Sequence, residues 1–248
     1  RGLDLVVDLN ADLTLPDPQA RAREAAHAVA VLRLAGALGV RRVRIALGGQ
    51  RLSVQGLRRR LGPLGKGGKS GSSGGPPGER RRRIQRGALR LAALVRCLMP
   101  GGGGGQAPRR ARAIAALAPV AAQAGDLGIR MGIENHWGIT ARPEGILEVL
   151  RGVGSPVMGT CPDLGNIPAG LAAEAVLTAL VPQAVLLHAK YPVGLRGGEG
   201  GWLELARRWE VCRRAGYRGP VTLEYEGWGD PWPACDRMAS LLRQAANG

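Results

Sequence analysis

Phenylalanine is absent from the 248 residues, and all aromatics together make up only 3%. Platforms on which bases could stack are therefore scarce. Histidine occurs three times and cysteine four times, as Cys97, Cys161, Cys212 and Cys235. No two cysteines stand as CxxC, so the spacings of a thiolate zinc site are missing. Free thiols fit a reducing, cytoplasmic compartment. No uncharged apolar run reaches ~18 residues, which leaves no helical membrane span. No signal peptide follows Arg1. No GxGxxG fingerprint follows the first strand candidate, which disfavours a dinucleotide site.

Acids are also in deficit: 19 against 35 Lys and Arg, for a net charge of +16. Such an excess invites a nucleic-acid partner, but its location argues against one. Residues 51–112 hold 16 Lys and Arg and a single acid, Glu79, so the rest of the chain is close to neutral. The basic segment has no aromatic residue for stacking. It contains the Gly-, Ser- and Pro-rich stretch 65–78 and the run Gly101–Gly105, which read as flexible linker. Between them Ile84, Ala88, Leu91, Val95 and Leu98 fall at helical spacing, predicting a basic amphipathic helix near 80–99. We therefore expect one domain over 1–248 carrying a basic low-complexity insertion at 51–107, irregular at 62–79 and 100–107.

Hydrophobic residues are plentiful, at 45%, enough for a sizeable core. They are arranged as alternating strand and helix candidates. Strands are expected at 3–9, 42–47, 129–134, 157–161, 184–188 and 221–224. Helices are expected at 18–38, 108–124, 143–153, 172–180, 203–215 and 236–246. Asp17 suits the N-cap of the first helix and Gly39 its end. The alternation points to βα units and a parallel sheet, open or closed into a barrel.

Ligand-type residues stand at the ends of the last four strands: Glu134 in IENH, Asp163 in CPDLGN, His188 in LLHAK and Glu224 in LEYEG. Each interval is about one βα unit, which places all four on one face of the sheet. In α/β barrels that face holds the active site. Two glutamates, an aspartate and a histidine suit a hard or borderline divalent ion, Mn²⁺ or Mg²⁺ first and Co²⁺ or Zn²⁺ as alternatives.

The motifs GIRMGIENHWG, GTCPDLGNIP, LLHAK and GYRGPVTLEYEG, in that order, resemble the sugar phosphate isomerase/epimerase family with the xylose isomerase-like barrel. The resemblance is close over 128–230 and loose over 42–49. It implies a (β/α) TIM barrel, of which about six of eight βα units are visible, as if the chain were truncated at its N-terminus. It implies a divalent metal held by Glu134, Asp163, His188 and Glu224. It also implies that Glu134 and Glu224 are the catalytic pair, passing a proton next to a carbonyl through an enediolate. The substrate would be a small sugar or other hydroxy-carbonyl compound.

His136, Asn166 and Lys190 lie close enough in sequence to these motifs to contact substrate. Glu226 shares the face of Glu224 by alternation and is its rival as ligand. Arg44 points into the barrel, for a core salt bridge or for substrate. Trp137 and Trp228 are candidate pocket walls, and His27 reads as a surface residue. A metal-dependent dehydratase of the same fold and a truncated, non-catalytic barrel are the alternatives. A multi-zinc endonuclease barrel would need more histidine than the chain has. Six strands would leave two sheet edges open, at the first and the last strand, and self-association is compatible with that.

Overall fold

A computed structural model describes residues 5–48, 106–168, 170–190, 199–226 and 230–244. The expected helix at 80–99, the linkers at 65–78 and 101–105, Cys97 and Trp228 lie outside the described residues.

The first unit is strand β1 (Val6–Ala11) and helix α1 (Pro18–Ala37). Asp17 caps α1, its carboxylate accepting from the backbone N–H of Gln19 at 3.2 Å and of Ala20 at 3.0 Å. Gly39, with φ of 75°, turns the chain into β2 (Arg42–Leu47). Helix α2 (Gln106–Asp126) is longer than expected: it takes in Gln106 and Ala107, which the sequence assigned to the irregular insertion, and runs through Pro119. There follow β3 (Arg130–Glu134), α3 (Pro143–Val153), β4 (Met158–Cys161), α4 (Ala173–Leu180) and β5 (Leu187–Lys190). The last elements are α5 (Glu199–Arg214), β6 (Val221–Glu224) and α6 (Pro231–Gln244). Helix α6 starts five residues before the expected point because Asp230 caps it, accepting from Trp232 N–H at 3.1 Å.

All the strand pairings among the described residues are parallel. One sheet runs β1-β2-β3-β4 and a second joins β5 to β6. Two single bridges, Thr160 to Ala184 and Asp163 to His188, connect β4 to β5. The six strands therefore follow one another in sequence order, and among the described residues no ladder joins β6 back to β1.

Alternation decides what each strand contributes. Val7, Leu9 and Ala11 of β1, Val43, Ile45 and Leu47 of β2, and Met131 and Ile133 of β3 face outward. They pack with Ala28, Leu32, Leu117, Val120 and Ile146 of α1, α2 and α3 into the main core. A second core gathers Leu187 and Ala189 of β5 with Trp202, Leu205, Trp209 and Cys212 of α5 and Met238 of α6. The opposite faces, carrying Asp8, Asn10, Arg44 and Glu134, line the interior, where a small apolar floor is made by Val6, Cys161, Val185 and Leu186. The apolar layers outside thus hold a polar layer inside.

Candidate functional site

Glu134 is the last residue of β3 and Glu224 the last of β6. Asp163 stands two residues past β4, held at the strand edge by its bridge to His188. His188 is the second residue of β5 rather than its end, because the strand continues to Lys190. One ligand-type atom from each of Glu134, Asp163, His188 and Glu224 lies within 4.8 Å of every other. Glu134, Asp163 and His188 are fully buried, while the Glu224 side chain is 26% exposed.

The two glutamates are arranged alike. Arg44 of β2 donates from Nη2 to Glu134 Oε2 and from Nη1 to Asn10 Oδ1 of β1, at 2.8 Å. Lys190 Nζ stands 3.2 Å from Glu224 Oε1. Each carboxylate thus has one oxygen fixed by a cation. The other oxygens, Glu134 Oε1 and Glu224 Oε2, face His188 Nδ1 at 3.3 and 3.4 Å. Despite these distances the groups do not line up as hydrogen bonds, and all three atoms are buried without a hydrogen-bond partner. A buried polar atom without a partner costs about 1–3 kcal/mol. Two acceptor oxygens and a ring nitrogen converging in this state form a donor set that a divalent cation satisfies. The residues present therefore fit a metal ion.

Asp163 is oriented by its own loop. Its Oδ1 accepts from Gly165 N–H and its Oδ2 from Asn166 Nδ2, both at 2.6 Å, and Lys190 Nζ lies 3.2 Å from Oδ2. Asn135, one residue past β3, locks this loop from behind. It accepts from Asp163 N–H at 2.7 Å and donates from Nδ2 to the carbonyls of Asp163 and Asn166, each at 3.1 Å.

The charges set the ionisation of the cluster. Burial alone would raise the Glu134 carboxyl, but His188 and the Arg44 guanidinium outweigh it, and its pKa falls to about 2. Burial likewise opposes ionisation of Glu224, and His188 and Lys190 reverse the effect, so its pKa is lowered. For Asp163 burial prevails over Lys190, pushing it up to about 7. Burial disfavours the His188 cation, yet Cys161, Glu134 and Glu224 around it push its pKa up to about 12. Metal coordination needs the neutral ring, so an ion here competes with that proton. His136 falls to about 4, because burial weighs more than the nearby Glu134 charge.

The supporting residues take different places around this cluster. His136 stands at the rim, Nε2 at 3.9 Å from Glu134 Oε2, edge-on to the partly exposed Trp137. The side chain of Asn166 is spent on Asp163. Lys190 lies among three acids, with Glu226 Oε1 also at 3.3 Å. Glu226 is outside the converging group and half exposed, so it pairs with Lys190 rather than displacing Glu224. Arg44 makes the core salt bridge. His27 is exposed on α1. Asn135, Asn10 and Asp8 were not singled out by sequence. The one signal for Asp8 was a charge inside a mostly apolar strand candidate, which also holds Asp4.

Solved structures of the same shape are numerous. An L-ribulose 3-epimerase superposes with a TM-score of 0.67 at 14% identity, over 99% of this chain and 77% of that one. A D-psicose 3-epimerase from Clostridium cellulolyticum H10 gives 0.62 at 14%, over 99% and 78%. A xylose isomerase-like TIM barrel protein from Mycobacterium smegmatis, crystallised in complex with magnesium, gives 0.60 at 15%, over 97% and 73%. Identities this low show the shared fold alone. No curated protein matches the chain. The sequence does match the family described as xylose isomerase-like TIM barrel, over residues 1–244. The chain, with its parallel βα units and polar interior, belongs to the xylose isomerase-like TIM barrel family.

Proposed function

We propose that the chain is a metal-dependent sugar or sugar phosphate isomerase/epimerase that moves a proton next to a carbonyl through an enediolate. The observation that supports this most is the convergence of Glu134 Oε1, Glu224 Oε2 and His188 Nδ1, all buried and unpartnered, beside Asp163. The oxygen-rich donor set favours Mn²⁺ or Mg²⁺. The sugar epimerases among the structural neighbours support the substrate class.

A bound divalent ion supplies the positive charge that makes the hydrogen next to a carbonyl acidic. Glu134, Asp163, Glu224 and His188 are the residues that would hold it. Glu224 Oε1, on the partly exposed carboxylate and beside Lys190 Nζ, is the oxygen open to substrate. Glu134 Oε2 is placed by Arg44 and faces His136. The two carboxylates form the pair that removes and returns the proton. Arg44 keeps Glu134 ionised, which makes it ready but only weakly basic, so placement against the carbon supplies the advantage. Lys190 and His136 border the space left for substrate oxygens, and Asn166 holds Asp163 beside it.

The test is hydrogen exchange. The full chain with Mn²⁺ is incubated in D₂O with ketoses, free and phosphorylated, and with hydroxypyruvate. NMR then follows deuterium entering beside the carbonyl. Glu224→Gln should slow entry by about 10²–10⁴-fold. Equal rates in parent and variant would remove Glu224 from the pair, and no entry with any substrate would sink the proposal.

A further inference from the structure

His188 has a second nitrogen, and the ion-facing group leaves it over. Nδ1 faces Glu134 and Glu224, while Nε2 points the other way, toward β1, where Asp8 Oδ1 stands 3.7 Å from it. Both ring nitrogens are buried without a hydrogen-bond partner, and the histidine is fully enclosed. Asp8 lies on the interior face of β1, with Val6 below it on the apolar floor and Asn10 above it on Arg44. Its side chain is 50% exposed, so it has room to turn through the half ångström or more that separates this contact from a hydrogen bond.

We propose that Asp8 is a positioning residue for His188: its carboxylate takes the Nε2–H and thereby leaves Nδ1 as the nitrogen turned toward Glu134 and Glu224. The assignment rests on the metal-binding reading given above. A ring nitrogen can face an ion only if the proton sits on the other nitrogen, and a carboxylate behind the ring holds it there and makes the ligand more basic. The Cys161 thiol also acts on the ring, but burial pushes its pKa up to about 11, so it is neutral and a weak acceptor. Asp8 also closes a chain of contacts around the interior, from Asp8 to His188, Glu134, Arg44 and Asn10, that begins and ends on β1. The strand with no described ladder to β6 thus has a part in the site made on β3 to β6.

The experiment uses the full chain with ¹⁵N-labelled imidazoles, the His188 signals being assigned by their loss in His188→Asn. Without metal, the parent should show a downfield, slowly exchanging His188 Nε2–H. Asp8→Ala should speed that exchange at least about tenfold and weaken Mn²⁺ binding by about 10–100-fold. Asp8→Asn keeps an acceptor oxygen and should retain the proton with an upfield shift. If Asp8→Ala does not fold, the Asn variant carries the test. An Nε2–H unchanged in both variants, or Mn²⁺ affinity unchanged in Asp8→Ala, overturns the assignment. A parent that binds no Mn²⁺ but loses the proton with Asp8→Ala would remove the metal reading and leave the Asp8 contact standing.

Discussion

Cys212 shows how a single buried group couples the fold to pH. It lies in the second core among Leu205, Trp209 and Met238, with no exposed surface, and burial pushes its thiol up to about 12. An unfolded cysteine titrates near ~8.5. The folded pKa is the higher one, so this contribution to stability is complete below the unfolded value and is lost as pH rises toward 12. By pH 10 the loss is about 2 kcal/mol. Cys212→Ala should therefore narrow the gap in unfolding free energy between pH 7 and pH 10 by about that amount, as read from urea titrations. An unchanged gap would mean that other groups carry the alkaline loss. Single residues also mark the limit of what the sequence discloses. Glu134, Asp163, His188 and Glu224 were legible because each follows an apolar strand at one βα interval. Asn135 and Asp8 were not, because their partners lie on a loop and a strand remote in sequence, and nothing local announces that a half-exposed aspartate will meet a histidine. Arg44 was legible as interior, but its choice of Glu134 over substrate depends on the register of β2 against β3.

Elements were legible where periodicity and caps agree. Helix α3 and strand β6 fall where the pattern puts them, and α1 begins at its Asp17 cap. Two of the misses share a cause. β5 extends to Lys190 and α6 begins at Pro231 because polar or rigid residues continue elements that an apolar pattern alone would end. Strand β3 has a feature that no pattern reveals. At Gly132 a Cβ would meet Leu186 Cδ2 at 2.8 Å, the Thr160 carbonyl at 2.9 Å and Cys161 Cβ at 3.0 Å. The glycine is there because β4 and Leu186, just before β5, approach it closely on the interior side. One of the three obstacles is backbone, so the strand cannot yield by a rotamer change alone. Gly132→Ala should cost about 1–3 kcal/mol through overpacking, despite alanine's better fit to regular structure. The denaturant midpoint should fall at constant slope. A neutral result would mean that Leu186 moves aside freely and that the floor beneath the site is softer than its burial implies.

At the scale of the molecule, strand order was legible, and the open edges expected at the first and last strand agree with the described residues, among which no ladder joins β6 to β1. Consecutive parallel βα units place each strand beside the last, so β1 to β6 could be ordered from sequence. Whether the ring closes depends on shear and tilt, which no local pattern encodes. Among the described residues the two ladders, β1-β2-β3-β4 and β5-β6, share backbone pairing only at the Thr160–Ala184 and Asp163–His188 bridges. The candidate ligands straddle that seam: Glu134 belongs to the first ladder, Asp163 to the loop that leaves it, and His188 and Glu224 to the second. An ion bound by all four would therefore tie the two ladders together where backbone pairing is thinnest. This predicts a stabilisation with a particular location. Mn²⁺ at about 100 times its dissociation constant should raise the unfolding free energy by about 2.7 kcal/mol. The gain in amide protection should concentrate on β5 and β6 rather than on β1 and β2. Chelation should reverse both effects, and His188→Ala should abolish them while leaving the outer cores to unfold cooperatively. A gain spread evenly over the strands, or one that survives His188→Ala, would place the ion somewhere other than the seam.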